Sequence, residues 1–512
     1  MINKSLTLIT ARILAIGSVT FAQSENSVEN KDEAHCSCLG LLSETISRIE
    51  ADYIGYHIET KGKTVDEYRR YKSQFQKLAG QTPLDKCVPL LQDFIRFFRD
   101  GHLFIGQNPK LTDEQVAQLL SKAEKFDRTE SEIKEYLSNN AKKLDPIEGI
   151  WFANDGSRFA IFRNTKPKDR DFVAILLSDG VRLWAKGEVK AKFTKLDDGS
   201  YDVVYYNEKR YPLFINFYER GKRGGARIRR DVILSMAPIT WGKEFPTVED
   251  SWNNLDSSDP RRPVLEVVDS STVLITLPSH SPSHASFLSE LVERHKDKIE
   301  NADNLILDLR GNEGGSAGMA AVLMPYIETA SGRPSKYWVG DRRYVLSSEQ
   351  NIKYFKLVER QGWLPKNLVK RLEAGLGKVI PLEDAVANEK RVIADTPRDL
   401  PKPQNVAILI DGAIVSAAEA FIINAIKSTK VTLFGQPTGG VIDYQTTSVV
   451  SYQSCADLGI YLGYPMFAAS DRLPTGGVNK TGIMPDVSIN PREDNPVGFI
   501  INFYKKRYRQ KI

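Results

Sequence analysis

The run NVAILIDGAIVSAAEAFIIN, from Asn405 to Asn424, constrains this chain more than any other stretch. Val406 to Ile410 is apolar and rich in β-branched residues, Asp411 and Gly412 interrupt it, and from Ser416 onward Ala, Glu, Phe and Ile return at helical spacing. The pattern is a buried strand, a tight turn and a helix. A serine opening such a helix lies beside backbone N–H groups that lack intrahelical partners, at the positive end of the helix dipole. Donors of that kind suit an oxyanion, so Ser416 reads as a nucleophile and the Ala417 amide as one arm of an oxyanion hole. The same residues also admit a purely structural role, because Ser416 and Glu419 form the S-x-x-E of a capping box.

A second stretch, NLILDLRGNEGGSAG from Asn304 to Gly318, repeats the plan. Leu305 to Leu307 is an apolar strand, Gly311, Gly314 and Gly315 make a glycine-rich turn, and an Ala/Met/Leu-rich helix follows. In an open sheet both turns lie at the carboxyl edge of the strands, where ligands bind. The glycine pair lets backbone amides come close to a reacting carbonyl. A phosphate-cradling loop is disfavoured, because the G-K-[ST] ending is missing.

Together these stretches resemble the C-terminal processing peptidases and their relatives, the tricorn core proteases and the interphotoreceptor retinoid-binding proteins. DLRGNEGG at Asp308 to Gly315 looks like the family's D-x-R-x-N-x-G-G, and SAAE at Ser416 to Glu419 looks like its nucleophile motif. GQPTGGV at Gly435 to Val441 and GIMPD at Gly482 to Asp486 follow in the family's order. The resemblance is close from Val264 to Pro491 and looser over the amino-terminal third. It implies a crotonase-like β/α spiral, serine-type hydrolysis of protein or peptide substrates through an acyl-enzyme, and no cofactor.

The resemblance also assigns roles. FFRDGHLFI looks like the "DGH" corner that supplies the base in the tricorn and retinoid-binding branches, which makes His102 the general base. The processing branch uses a lysine about 25 residues after the serine, but here Val441 stands near that place and no lysine occurs from Val431 through Asn479. Lys427 and Lys430 fall at the far end of the helix that Ser416 opens, about 16 Å away at ~1.5 Å per residue. In the His branch a Glu precedes G-x-x-P-D by three residues; here that position is Asn479, so Asn479 is the expected orienter of His102, with Asp443 or Asp471 as substitutes. The second oxyanion donor is an amide of Gly314 or Gly315. The alternatives are a catalytically weak or inactive binding protein on the same fold, or another serine acyl hydrolase.

Composition bounds the rest. A basic start at Lys4, an apolar run from Leu6 to Phe21, and Thr20 and Ala22 before Gln23 read as a secretory signal over residues 1–22. The expected localisation is therefore periplasmic or secreted, with no integral membrane segment after cleavage. A net charge of +5 spread over 512 residues leaves no strong nucleic-acid footprint, although small basic clusters occur at Arg220 to Arg230 and Lys505 to Lys511. The four cysteines, Cys36, Cys38, Cys87 and Cys455, suit an oxidising compartment. A bridge from the first pair to Cys87 is expected, Cys455 is remote, and the connectivity stays open. No metal site is expected from the HCSC run at His35 to Cys38 or from His280 and His284, because neither has further ligands at suitable spacing. Oligomeric state is open.

The expected architecture is multidomain α/β. Residues 23–143 are a helical domain carrying His102, with an apolar stripe of Leu91, Phe94, Ile95 and Phe98. Residues 144–250 read as an inserted antiparallel β-barrel or sandwich, because short alternating runs are cut by Asn-Asp-Gly, Ser-Asp-Gly and Asp-Asp-Gly, with Trp151, Phe162, Trp184 and Tyr205 in its core. This interval stands where the family carries a PDZ domain, and is read either as recruiting peptide by strand addition or as capping the cleft. Residues 262–495 form the peptidase core and 496–512 a basic carboxyl-terminal helix. Ser335 to Pro401, with Tyr337, Trp338, Tyr354 and Trp363, reads as helical packing outside the sheet or as a wall of the groove.

Overall fold

The computed structural model describes residues 36–107, 111–153, 156–165, 170–178, 183–197, 199–206, 210, 212–214, 226–229, 233–236, 239–246, 261–316, 318–330, 332–333, 337, 343–360, 367–382, 400–470, 473–479, 481–490 and 495–509. The leader at 1–22, His35, Arg220, Trp338, Trp363 and Asp471 lie outside the described residues. No helix among the described residues is long and apolar enough to cross a membrane.

The carboxyl-terminal half is built on a six-stranded sheet in the order Val264–Asp269, Thr272–Thr276, Asn304–Asp308, Asn405–Ile410, Val431–Gly435 and Val487–Ser488. The first pair is antiparallel and every later pair is parallel. Continuous apolar strands of this kind are buried on both faces. On one face, Leu288, Val292, Phe421 and Ile422 of two helices cover Leu305, Leu307, Val406 and Ile408. On the other, Ile500 and Tyr504 of the helix Pro496–Arg509 cover Ile306, Leu409 and Phe434. The basic carboxyl-terminal helix is thus docked through its apolar stripe. Because Asn304–Asp308 and Asn405–Ile410 run parallel in register, their turns leave the sheet at the same edge. The Gly311 amide donates to Asp411 Oδ1 at 2.8 Å and the Val415 amide to the Asn312 carbonyl at 3.2 Å.

A second sheet joins the two ends of the chain. Ile460–Ala468 pairs antiparallel with Phe104–Gln107, Tyr344–Leu346 and Tyr444–Ser451, and Val379–Pro381 extends it from Tyr344–Leu346. Leu41, Ile49, Leu91 and Phe94 of the amino-terminal helices share one core with Phe355, Leu372, Leu462 and Tyr464. The helices expected as a separate amino-terminal layer therefore pack on strands from the far end of the chain. The described residues of 343–382 in the 335–401 excursion, including Tyr354, pack in that layer too, whereas Tyr337 and Leu400 pack against the core of the six-stranded sheet. Two disulfides fix it: Cys38–Cys87 between neighbouring helices, and Cys36–Cys455, which pins the start of the described chain to the turn before Ile460. Cys455, remote in sequence, is thus the partner of Cys36.

The inserted segment is a nine-stranded antiparallel sheet running from Pro212–Phe214 through Gly149–Ala153 to Arg227–Arg229, and a bridge between Tyr201 and Ala226 closes it into a barrel. Trp151 and Trp184 lie in its interior with Phe159 and Trp241, whose rings stack at 4.1 Å, and Tyr205 packs at the margin. Phe162 differs from expectation. Strand residues alternate between faces, so Phe159 and Ile161 point inward while Ala160 and Phe162 point outward, onto Ile133 and Leu137 of the helix Glu130–Asn139.

Candidate active site

Ser416 sits where the strand Asn405–Ile410 turns into the helix Ala417–Ala425. Its backbone is at φ 58°, ψ −123°, a region that L-residues adopt at a cost of about 1–3 kcal/mol. The surroundings hold that strain. Asp411 Oδ1 accepts from the Ala413 amide at 3.1 Å as well as from Gly311, which pins the turn on one side. On the other side the fully buried Glu419 accepts from four donors: Ser416 N at 3.0 Å, Val441 N at 2.7 Å, Gly440 N at 2.8 Å and Thr438 Oγ1 at 2.5 Å. Glu419 thus closes back on the cap, as the S-x-x-E pattern foretold, and also lashes the serine turn to the GQPTGGV loop. Burial pushes its carboxyl up to about 7, against the pull of those donors.

The half-buried His102 faces this serine from the other end of the chain, with Nε2 3.1 Å from Ser416 Oγ. Its Nδ1 lies 2.6 Å from the Tyr444 carbonyl oxygen. A carbonyl can only accept, so the ring proton resides on Nδ1 and the Nε2 lone pair is left for the serine hydroxyl. Burial lowers the His102 pKa from its ordinary 6.5, and the Tyr444 carbonyl partly opposes that shift.

Asn479 does not touch the imidazole. Its Oδ1 accepts from the Ile442 and Asp443 amides at 3.0 and 2.9 Å, and its backbone N–H donates to Asp443 Oδ2 at 2.9 Å. The orienting contact expected from Asn479 comes instead from the Tyr444 main chain, because the Asn479 oxygen already serves two backbone donors that shape the approach to Tyr444. Asp443 is likewise turned toward the 478–479 backbone, accepting from Val478 N at 2.8 Å and from Asn479 N. Lys427 Nζ donates to Asn424 Oδ1 and Lys430 Nζ to the Leu400 carbonyl, so neither lysine stands at Ser416.

Beside the serine, the glycine turn separates the Gly314 amide from that of Gly315. The Gly314 amide donates to Asn312 Oδ1 at 3.0 Å. Among the described residues the amides of Gly315 and Ala417 meet no protein acceptor. Gly314 must be glycine on two counts: φ is +85°, and a Cβ would lie 2.8 Å from the Val415 carbonyl oxygen and 2.9 Å from Ser416 Cβ. His280 is buried under this turn, donating its amide to the Gly314 carbonyl at 3.0 Å and accepting from the Ser316 amide at 2.8 Å. Burial lowers its imidazole to about 4. No group of three or more His, Cys, Asp or Glu among the described residues is arranged to hold a metal.

Two further groups brace the His102 turn and its partner Tyr444. Asp100, 3% exposed, accepts from the His102 amide at 3.0 Å and from the Tyr53 hydroxyl at 2.8 Å. The Tyr444 hydroxyl donates to Glu59 Oε1 at 2.9 Å, and its ring meets Tyr53 edge-on at 5.9 Å. The sequence signal for Asp100 was its place two residues before His102, the spacing of a side chain that accepts from the backbone two positions on. A main-chain acceptor such as Tyr444 O leaves no side-chain signature.

Residues 271–489 match the model of peptidase family S41. No curated protein sequence matches the chain. Among solved structures, it is similar to mature CPAF at 12% identity, covering 88% of this chain and 92% of that one with a TM-score of 0.41. The photosystem II D1 C-terminal processing protease matches at 11% identity over 89% of this chain and 94% of its own, with a TM-score of 0.33. The tricorn protease matches at 11% identity over 92% of this chain and 37% of its own, with a TM-score of 0.36.

Proposed function

Starting from a peptidase family S41 domain over residues 271–489, we propose that the protein is an exported serine endopeptidase that cuts protein or peptide substrates through a Ser416–His102 pair. The observation that carries the reading is the 3.1 Å contact between Ser416 Oγ and a His102 Nε2 whose lone pair is freed by the Nδ1 bond to Tyr444. In the reaction Ser416 Oγ attacks the scissile carbonyl carbon while its proton passes to His102 Nε2. The tetrahedral oxyanion rests on the amides of Ala417 and Gly315. As the C–N bond breaks, His102 returns the proton to the leaving amine, and a water deprotonated by the same ring then hydrolyses the acyl-enzyme. The carbonyl fixes the imidazole tautomer but brings no charge to the imidazolium, which suits a slower catalyst than one with a carboxylate on Nδ1.

Export is supported by the leader-like start and by the pairing of all four cysteines. The domain reading follows the three cores: a helical layer bearing the base, a barrel in the place of a PDZ domain, and a sheet-and-helix core read as a crotonase-like spiral. The test is labelling by a fluorophosphonate probe. Wild type should be modified covalently, Ser416→Ala should not be, and Ser416→Ala should melt within a degree or two of wild type. An unlabelled wild type would remove the peptidase and favour a binding protein on the same scaffold.

A further inference from the structure

The base of this site has no carboxylate on its ring, yet a buried carboxyl grips its backbone. Asp100 follows Arg99, whose φ of +48° turns the chain sharply after the helical run ending at Phe98. From there one carboxyl oxygen accepts from the His102 amide and the other from the Tyr53 hydroxyl. Tyr53 is fully buried against Phe98 at 5.3 Å and against Tyr444, the residue whose carbonyl holds His102 Nδ1. One hydrogen-bonded and packed chain, Asp100–Tyr53–Tyr444, therefore spans both supports of the imidazole. A change at Asp100 moves the ring relative to Ser416 without touching either residue's side chain.

We propose that Asp100 is the positioning residue of the base, holding the His102 backbone so that its ring bridges the Tyr444 carbonyl and Ser416. The assignment rests on the Ser416–His102 reading for its catalytic consequence, but its structural content stands apart from activity. A carboxyl with two fixed donors and almost no exposed surface has little room to relax, so a lost bond is transmitted to the turn at Gly101 rather than absorbed by solvent. Burial holds Asp100 up to about 7; the Tyr53 and His102 donors work against that, and Asp443 and Glu59 reinforce it.

The experiment uses the full chain with 15N-labelled histidine, the His102 signals being assigned by their loss in His102→Gln among the six histidines. In wild type His102 should be the Nδ1–H tautomer with a downfield, hydrogen-bonded proton. Asp100→Asn keeps the shape but cannot accept from both donors. It should shift or broaden that proton, and should lower kcat for a peptide substrate about 10- to 100-fold with little change in KM, the scale of a base displaced by about an ångström. Tyr53→Phe, which deletes only one hydroxyl, should move the same signal in the same direction by less and stands in if Asp100→Asn does not fold. An unchanged Nδ1–H signal in a folded variant overturns the proposal whatever the activity. A shifted signal in a protein that fluorophosphonate never labels upholds the positioning role and sinks the peptidase reading instead.

Discussion

Gly314→Ala isolates the oxyanion geometry. The new methyl would sit 2.8 Å from the Val415 carbonyl oxygen, 2.9 Å from Ser416 Cβ and 3.0 Å from the Ala417 amide nitrogen, all backbone or backbone-fixed atoms. It must therefore push the glycine turn away from the serine turn and crowd the Ala417 donor. Loss of one oxyanion donor costs about 2.7–4 kcal/mol in the transition state, so kcat should fall about 100- to 1,000-fold. The stability cost is separate: a non-glycine residue at this φ adds about 1–2 kcal/mol. Gly156→Ala supplies the control, since Gly156 has nearly the same φ of +82° but its added Cβ meets nothing within 4 Å. In a denaturant melt Gly156→Ala should lose the conformational cost alone and Gly314→Ala that cost plus the cost of the clash, and only Gly314→Ala should lose turnover of a quenched peptide. A folded Gly314→Ala that works within about threefold of wild type, well under the donor-loss scale, would refute this account of the turn.

Two further outcomes follow from the hydrogen bonds and charges. His102 must be neutral to accept the serine proton and burial lowers its pKa, so kcat/KM should rise with pH along a limb whose midpoint lies below 6.5; a midpoint above 6.5 would contradict the burial. Asn479→Ala removes the acceptor of two buried amides and should cost about 1–3 kcal/mol for each group left unpaired, whereas Asn479→Asp keeps the accepting oxygen and should lose less. Equal melting points for Asn479→Ala and wild type would show that those amides find other partners.

What the sequence could tell was set by periodicity and by turn chemistry. Both strands, around Gly314 and Ser416, are legible because buried parallel strands read as unbroken apolar runs, and the helix Ala417–Ala425 restarts the pattern after Ser416; the helix expected after the glycine turn is only a 3-10 turn, Ala321–Leu323, and one short turn of helix, Met324–Ile327. Glu419 was visible as a capping residue, but its bonds to Thr438, Gly440 and Val441 join segments that no local pattern connects. His102 came to attention only through its DGH corner. The expectation that Asn479 orients it rests on the place of Asn479 three residues before the G-x-x-P-D motif in the resembled family, and the Tyr444 carbonyl leaves no side-chain trace to correct it. For the same reason the pairing of Phe104–Gln107 with Ile460–Ala468, and of Cys36 with Cys455, could not be read from spacing. Phe162 was misplaced by one step of strand alternation, because both faces of the barrel wall are covered and both therefore carry apolar residues.

His102 and Ser416 stand 314 positions apart, and the strand that follows His102 is completed only by Ile460–Ala468. A ribosome delivers these parts in order, so for 314 residues of synthesis the chain holds His102 with no Ser416 beside it. The sheet that carries His102 is completed late, when Ile460–Ala468 pairs with Phe104–Gln107. On the proposed Ser416–His102 reading, a copy cut short before Ile460 lacks the strand that completes the sheet beside His102 and should hydrolyse no peptide.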